Sequence, residues 1–317
     1  MNGIDVSVIV CGYNRREQLL RTCAALTRQD WPRERYEVIV VDNASTDGSP
    51  AAVQEFARSA PVEVRCIAEP RPGKVHALNT GLAAARGRIV AFTDDDCEPR
   101  PDWLATLVAC LDDPCVGLVG GPVPSHFPAH VETDPEKRFI ARKFLADFSL
   151  GDEKRDLRGR ESPLGCNMAV RVEALRRAGG FSPLLGPSPA TWGDHEDSDL
   201  AWRIRDSGYR LVYEPAAIVD HYPDSERLSP AVIRSRAAAI GRCGYLSRQR
   251  GPVPCWRKCV RTAGFSLELV LRLLRWVVCA PISRKRFVAE YRLRGCVGKL
   301  AAVWARRKED RSRETMP

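Results

Sequence analysis

The chain has 317 residues, of which 44% are hydrophobic and 28% are charged; this composition excludes an intrinsically disordered protein and allows a sizeable buried core. The net charge of +9 is unevenly distributed, because residues 227–317 contain 22 Lys and Arg against 5 Asp and Glu and so carry +17, which leaves −8 for residues 1–226. No apolar run approaches the roughly 20 residues that span a bilayer, since the longest, Cys259–Ile282, is interrupted by charged residues.

Short apolar runs alternate with amphipathic stretches in the first third of the chain. The predicted strands are Val6–Cys11, Val38–Val41, Val62–Ile67 and Ile89–Thr93. The predicted helices are Arg15–Thr27, Pro50–Ser59 and Lys74–Ala85. Strands that are apolar on both faces are typical of a buried parallel sheet, so this order predicts a doubly wound α/β sheet. In such sheets ligands bind beyond the carboxyl ends of the strands, so the loops after the first, second and fourth strands should face one site.

The second part of the chain has a less regular pattern. It predicts a helix at Pro135–Phe144, a polar loop at Gly151–Pro163, a strand at Cys166–Val170, a helix at Asp197–Asp206 and a strand at Arg210–Tyr213. Beyond Ser229 the pattern is wholly helical and basic. We therefore expect an α/β domain at about residues 1–226 and a helical basic region at 227–317.

Three successive aspartates, Asp94, Asp95 and Asp96, end the fourth predicted strand. Such a cluster is costly unless a cation neutralises it, and Mg²⁺ or Mn²⁺ commonly joins carboxylates to substrate phosphates. A solvated turn is the alternative. Asp42 ends the second strand, where an Asx turn is the alternative, and Lys74 begins a helix where phosphate could meet free N–H groups. The sequence contains neither GxxxxGK[ST] nor GxGxxG, which excludes a P-loop and makes a dinucleotide cofactor unexpected.

Five segments together resemble family 2 glycosyltransferases with the GT-A fold, over about residues 5–222. They are Ser7–Arg15 (SVIVCGYNR), Val40–Gly48 (VVDNASTDG), Gly73–Gly81 (GKVHALNTG), Ile89–Asp96 (IVAFTDDD) and Gly193–Arg203 (GDHEDSDLAWR). The resemblance implies an inverting, metal-dependent transfer of a sugar from a nucleoside-diphosphate-sugar, such as a UDP-sugar, to a hydroxyl of a glycan or lipid-linked saccharide. It also implies a donor half at about 1–125 and an acceptor half at about 126–226.

The resemblance implies roles for individual residues on the donor side. Asp42 would hydrogen-bond the donor's base, and Tyr13 would pack against that base. Lys74 would approach the diphosphate, and Asp94 and Asp95 would lie near the ribose.

On the metal and acceptor side, the resemblance makes Asp96 a metal ligand and Asp197 the general base that deprotonates the acceptor hydroxyl. Inverting transfer needs a carboxylate on the acceptor side and a positive charge on the leaving diphosphate, which agrees with this assignment. His221 could complete the metal site, or could be an ordinary surface histidine. The residues expected near the acceptor are Cys166, Asn167, Trp192 and Glu196, although Trp192 could equally be a core residue.

Two alternatives use the same fold. A sugar nucleotidyltransferase should have a glycine-rich basic loop after the first strand, but that loop is Gly12-Tyr13-Asn14-Arg15. A catalytically inactive membrane-associated adaptor would not need Asp96 and Asp197.

The basic rear contains helical apolar patterns flanked by Lys and Arg. Glu268, Arg272 and Arg275 form one polar stripe, and apolar residues cover the rest of that helix. This pattern favours contact with an anionic membrane surface, with packing against the catalytic domain as the alternative; no recognised motif indicates nucleic acid as a partner. The N-terminus lacks a signal-peptide pattern, so we expect a cytoplasmic protein, with peripheral attachment to the inner face of the cell membrane left open.

Overall fold

The structure is a computed structural model. It describes residues 3–132, 134, 138–139, 141, 147–188, 191–224, 229–249, 253–278 and 283–304, and for residues 132, 191–192 and 283–284 it describes the backbone only. The predicted helix at Pro135–Phe144 lies largely outside the described residues.

An eight-stranded sheet forms the centre of the molecule. In spatial order its strands are β3 (Glu63–Ala68), β2 (Tyr36–Asp42), β1 (Val6–Gly12), β4 (Ile89–Asp94), β8 (Met168–Arg171), β6 (Val116–Gly120), β11 (Arg210–Tyr213) and β7 (Arg155–Asp156). The first four strands are parallel to one another, as are β6 and β11, whereas β8 and β7 run antiparallel to their neighbours. The predicted mostly parallel α/β sheet is confirmed. The loop expected at Gly151–Pro163 contains β7, because its backbone pairs with β11 at the sheet edge.

Helices cover both faces of this sheet. They are α1 (Arg16–Leu26), α2 (Ser49–Ser59), α3 (Lys74–Ala84), α4 (Trp103–Leu111), α6 (Val172–Ala178) and α7 (Glu196–Asp206). The short helix α5 (Ala129–Glu132) contributes Val131 to a separate small apolar cluster. The side chains of each strand alternate between two cores. In β1, for example, Val8 and Val10 pack in the core that contains α1, α2 and α4, while Ile9 packs in the core that contains α3, α6 and α7. This alternation follows from the pleat of a strand that is buried on both faces.

The strand register brings the predicted site loops together. In the parallel pairs, Gly12 of β1 lies opposite Asp42 of β2, and Cys11 lies opposite Asp94 of β4. The three strands therefore end at the same level, and the loops that follow them open on the same edge of the sheet.

Two small ribbons lie outside the main sheet. The short strands β5 (Cys97–Pro99) and β12 (Val219–His221) pair antiparallel, with Cys97 opposite His221. The strands β9 (Pro187–Ser188) and β10 (Thr191–Trp192) also pair antiparallel. The β5–β12 ribbon contributes to the site, because it holds His221 opposite Cys97, the residue that follows Asp96.

Three helices follow the catalytic portion: α8 (Pro230–Leu246), α9 (Cys255–Val278) and α10 (Ser283–Trp304). Helix α10 packs against both α8 and α9, and α8 also contacts β10. The helical pattern predicted beyond Ser229 is thus present. Among the described residues, none of the helices combines the length and apolarity that crossing a bilayer requires.

Candidate active site

The loops after β1 and β4 are joined by a buried ion pair. The Arg15 guanidinium lies 2.8 Å from Oδ1 of Asp95 and 2.7 Å from Oδ2 of Asp96. Burial raises the pKa of Asp95 to about 6, although the charge of Arg15 acts in the opposite direction. The Arg15 guanidinium therefore offsets part of the negative charge of the aspartate cluster.

The loop after β2 joins the same edge through hydrogen bonds to Asn14. The backbone N–H of Asn14 donates to Oγ of Ser45 at 3.0 Å, and the side-chain oxygen of Asn14 accepts from the N–H of Thr46 at 2.7 Å. Asn14 adopts a positive φ of 51°, a conformation that asparagine tolerates better than most residues. The first two loops are thus fixed to each other before any ligand binds.

Asp42 is buried at the end of β2 and has one unused oxygen. Its Oδ2 accepts a hydrogen bond from the N–H of Ser45, three residues on, at 3.2 Å, but Oδ1 has no hydrogen-bond partner among the described residues. A buried acceptor without a partner is costly and is commonly reserved for a ligand. Tyr13, on the neighbouring loop, is 52% exposed, so its ring is available for stacking.

Lys74 connects the donor loops to the second half of the chain. It begins α3 directly after Gly73, whose φ of 126° strongly favours glycine. Its Nζ lies 2.6 Å from Oδ1 of Asp94 and 3.9 Å from Oε1 of Glu196. Burial lowers the pKa of Lys74, but the two carboxylates more than offset this, so the pKa stays well above its ordinary value. The Lys74 ammonium therefore links Asp94, at the end of β4, to Glu196, at the start of α7.

The first acidic group has the atoms of a cation site. One ligand atom each from Asp96, Cys97 and His221 lies within 4.8 Å of the others. Nε2 of His221 lies 3.6 Å from Oδ1 of Asp96, and Nδ1 of the same ring is held by Oγ of Ser125 at 2.9 Å. A carboxylate and an oriented imidazole suit Mn²⁺ or Mg²⁺. Burial raises the pKa of Cys97 well above its ordinary value, so the clearest ligand atoms of this group are the Asp96 carboxylate oxygen and the His221 ring nitrogen.

The second acidic group lies at the start of α7 and consists of Asp194, Glu196 and Asp197. Burial raises the pKa of Glu196 to about 8, although Lys74 acts in the opposite direction, and its Oε2 has no hydrogen-bond partner among the described residues. The helix starts one residue earlier than predicted and includes Glu196, because His195 takes a positive φ of 70° and ends the preceding turn.

Asp197 is held by the backbone on both oxygens. Oδ2 accepts the N–H of Gly165 at 2.8 Å and Oδ1 accepts the N–H of Ser198 at 2.6 Å. Burial and the charge of Asp194 raise the pKa of Asp197 above its ordinary value, although the two N–H donors act in the opposite direction. The carboxylate is therefore oriented by the chain and tied to the segment that precedes β8.

Three further residues were predicted to lie near the acceptor, namely Cys166, Asn167 and Trp192, and the first two are buried. Asn167 is fully buried, where its amide donates to the carbonyl oxygens of Pro122 and Ala217 at 2.9 and 2.7 Å and its oxygen accepts from Nε1 of Trp103 at 2.8 Å. Cys166 is also buried. The backbone of Trp192 lies in β10, but its side chain is outside the described residues.

Sequence reasoning missed several residues of this site. Arg15, Asp194 and Ser125 had no assigned role, yet each lies within hydrogen-bonding or ligand distance of a predicted site residue. Arg15 was detectable in principle, because it is a cation in a loop predicted to face the aspartates. Ser125 had no sequence signal, since its contact with His221 depends on a bridge between two segments that are 96 positions apart.

Several proteins similar to this chain are named glycosyltransferases. The model of the family described as glycosyl transferase family 2 matches residues 7–179, more than half of the chain. The chain is 30% identical to glycosyltransferase AglE of Haloferax volcanii over 218 residues, 68% of this chain and 66% of that protein. It is 32% identical to the pre-mycofactocin glycosyltransferase of Mycobacterium tuberculosis over 228 residues, 68% of this chain but 42% of that protein. The match thus spans two-thirds or less of these relatives.

A solved structure extends the similarity into the C-terminal helices. The mannosyltransferase PcManGT from Pyrobaculum calidifontis, in complex with GDP-Man and Mn²⁺, superimposes with a TM-score of 0.61 and 25% sequence identity. The match covers 94% of this chain and 87% of that one.

Proposed function

Because the chain belongs to glycosyl transferase family 2, whose model covers more than half of it, we propose that it transfers a sugar from a nucleoside-diphosphate-sugar to an acceptor hydroxyl with inversion. The observation that carries the proposal is the Lys74 contact with both Asp94 and Glu196. This contact supports the proposal because it links Asp94, in the aspartate cluster proposed to meet metal and diphosphate, with Glu196, beside the proposed general base Asp197. Inverting transfer needs these two functions on opposite sides of the sugar.

The donor is proposed to lie over the loops after β1, β2 and β4. The unused oxygen of Asp42 would accept an N–H group of the base, and the exposed ring of Tyr13 would pack against it. The Lys74 ammonium and the N–H groups at the start of α3 would meet the diphosphate. Asp94 and Asp95 would accept hydrogen bonds from the ribose.

A divalent cation fits the group formed by Asp96 and His221. We propose that these two side chains hold Mg²⁺ or Mn²⁺, which would neutralise the charge of the departing diphosphate when bound. Arg15 neutralises Asp95 and Asp96 in this structure. It would therefore have to share or release these carboxylates as the donor complex forms, and it would then lie within reach of the phosphates.

On the acceptor side, Asp197 is the proposed general base. Its two backbone N–H bonds orient it and favour its charged form, whereas Glu196 holds a proton more tightly, with a pKa of about 8. Cys166 and Trp192 belong to the segments proposed to surround the acceptor. Because the hydrogen bonds of Asn167 are all made inside the protein, this residue would position the backbone of the acceptor segment and would not itself contact the acceptor.

The experiment that tests this function is a screen of UDP- and GDP-sugars with Mn²⁺ or Mg²⁺, followed by identification of the products. Transfer or hydrolysis should release a nucleoside diphosphate, and the anomeric configuration of a transferred sugar should be inverted. Formation of pyrophosphate from a nucleoside triphosphate and a sugar phosphate would instead identify a nucleotidyltransferase. Absence of turnover together with intact nucleotide binding would favour the inactive adaptor.

A further inference from the structure

Helix α9 presents an apolar surface to solvent along its whole length. Its outward face, defined here by residues spaced at three and four positions, consists of Trp256, Val260, Ala263, Leu267, Val270, Leu271, Leu274, Val277 and Val278. All except the small Ala263 are between 54% and 77% exposed, and Ala263 is also exposed. An exposed apolar stripe of this kind on a helix of about 36 Å is unusual for a soluble surface and marks a contact site.

The charged side of the same helix faces the protein. Glu268 is paired with Arg272 on α9 and lies 3.3 Å from Nζ of Lys299 on α10. Arg261 donates to the hydroxyl of Tyr245 on α8 at 3.0 Å. Two residues of the predicted polar stripe, Glu268 and Arg272, are therefore turned inward, the reverse of an ordinary surface helix.

The inward orientation of α9 is fixed by aromatic and polar contacts. Nε1 of Trp304 donates to Oγ1 of Thr262 at 2.9 Å, and the rings of Phe265 and Tyr245 meet edge to face at 5.7 Å. Because these contacts occupy one side of the helix, they determine which side remains for solvent or a partner.

We propose that the outward face of α9 docks the protein on the surface of an anionic lipid bilayer, with the helix lying in the plane of the interface. Two basic side chains on one edge of this face, Arg257 and Arg275, are exposed and are positioned to meet lipid phosphates. The Arg257 guanidinium also lies over the ring of Trp256, 5.1 Å from its centre, and Trp favours the headgroup region.

Charge complementarity favours a lipid surface over a second copy of the chain. Residues 227–317 carry a net +17, so two copies meeting through α9 would bring like charges together. An anionic bilayer meets the same charge with attraction and also removes the apolar face from water.

The chain contains a reporter and a matched control for this proposal. Cys259 is an exposed free thiol on α9, on the same side as Val277 because the two are 18 residues, or about five turns, apart. Cys115, an exposed free thiol before β6, lies in the catalytic portion. Vesicles of phosphatidylglycerol and phosphatidylcholine should slow maleimide labelling of Cys259 by about fivefold or more at low salt, and leave Cys115 unchanged. Unchanged labelling of Cys259 would overturn the proposal.

A pair of substitutions tests the face itself in the full-length chain. Leu267→Gln combined with Leu274→Gln should lower the fraction that sediments with anionic vesicles by about tenfold or more. Val297→Gln, at an exposed valine of α10, should change it less than about twofold. Nucleotide binding should be unchanged in both variants, which shows that they fold and separates this test from that of the proposed function.

Two results would contradict docking on lipid. One is vesicle binding by the double variant equal to that of the parent. The other is a parent protein that ignores vesicles but is dimeric by light scattering and becomes monomeric in the double variant, which would assign the face to a second copy.

Discussion

The strand-end site and helix α9 both bury charged side chains, but they leave different groups without partners. At the site, Oδ1 of Asp42 and Oε2 of Glu196 have no hydrogen-bond partner among the described residues. In α9, Glu268 is bonded to both Arg272 and Lys299, while the apolar outward face is exposed. Unpaired buried oxygens are suited to a small polar ligand, and exposed apolar side chains are suited to a broad apolar surface. The unpaired oxygens at the site and the exposed apolar face of α9 thus indicate two different kinds of binding partner.

The largest effect is expected from Asp197→Asn. An amide cannot accept the acceptor proton, so turnover should fall by about 10² to 10⁴, while donor binding is retained. The measurement is steady-state transfer together with nucleotide calorimetry. Asp206→Asn, at the opposite end of α7, should retain parental turnover. If Asp197→Asn also retained it, Asp197 would not be the base, and Glu196 would be the next candidate.

Removing the charge that joins the two acidic groups should have the next largest effect. Lys74→Met leaves Asp94 and Glu196 facing each other without an ammonium, and removes a cation from the proposed diphosphate position. Nucleotide affinity, measured by calorimetry with saturating Mn²⁺, should fall by about tenfold or more. Lys154→Met, which breaks a pair with Glu214 outside the site, serves as the control. Equal affinity in the Lys74 variant would remove this residue from the donor site.

Because Glu196 is buried, ionisation of its carboxyl group should lower the stability of the folded protein. Its pKa rises from 4.5 to about 8 on folding, so the folded state binds the proton more tightly and the parent loses stability as the pH rises through this window. Relative to the parent, Glu196→Gln should therefore gain a few kcal/mol in free energy of unfolding between pH 5 and 8, at about 1.4 kcal/mol per pKa unit.

A glutamate whose pKa is shifted in the opposite direction is the control for Glu196. Arg155 lowers the pKa of Glu161 to about 2, so Glu161 is ionised throughout this pH window. Glu161→Gln should show no such gain in denaturant unfolding followed by circular dichroism. A flat difference for Glu196→Gln would mean that Glu196 is not buried as a neutral acid.

The smallest effect is expected in the C-terminal helices. Burial raises the pKa of Glu268, but Arg272 and Lys299 offset this, so the pKa is lowered and the carboxylate stabilises the fold above its ordinary titration range. Glu268→Gln should cost about 1 kcal/mol at pH 7, and the loss should vanish as the pH falls through the lowered pKa of Glu268. Glu173→Gln, in an exposed pair with Arg177, should cost less. A neutral effect of Glu268→Gln would mean that inward charges do not hold α9 in place.

Much of the catalytic portion could be predicted from local sequence. The apolar runs and the rule that ligands bind at strand ends were sufficient to bring Asp42 and Asp94 to one edge of the sheet, because parallel strands of similar length end together. The contact of Arg15 with Asp96 spans 81 positions. No periodicity encodes such a contact, so it required the structure.

The orientation of α9 could not be read from its pattern. Helical spacing shows that Glu268, Arg272 and Arg275 share a side, but the residues that cover a side are set by neighbouring helices. Here Lys299 of α10 meets Glu268, so Glu268 and Arg272 face inward, Arg275 stays exposed at the edge, and the apolar side faces outward. The same sequence pattern is compatible with either orientation until tertiary contacts are known.

The central claim is that the strand-end site holds a nucleoside diphosphate together with a divalent cation. Calorimetry with UDP and GDP, with and without Mn²⁺, tests this claim directly in the parent and in Asp96→Ala. The parent should bind at least one of the two nucleotides about tenfold or more tightly with Mn²⁺, and Asp96→Ala should lose this dependence. Equal affinity with and without Mn²⁺ in both proteins would contradict the assignment of Asp96 and the function built on it.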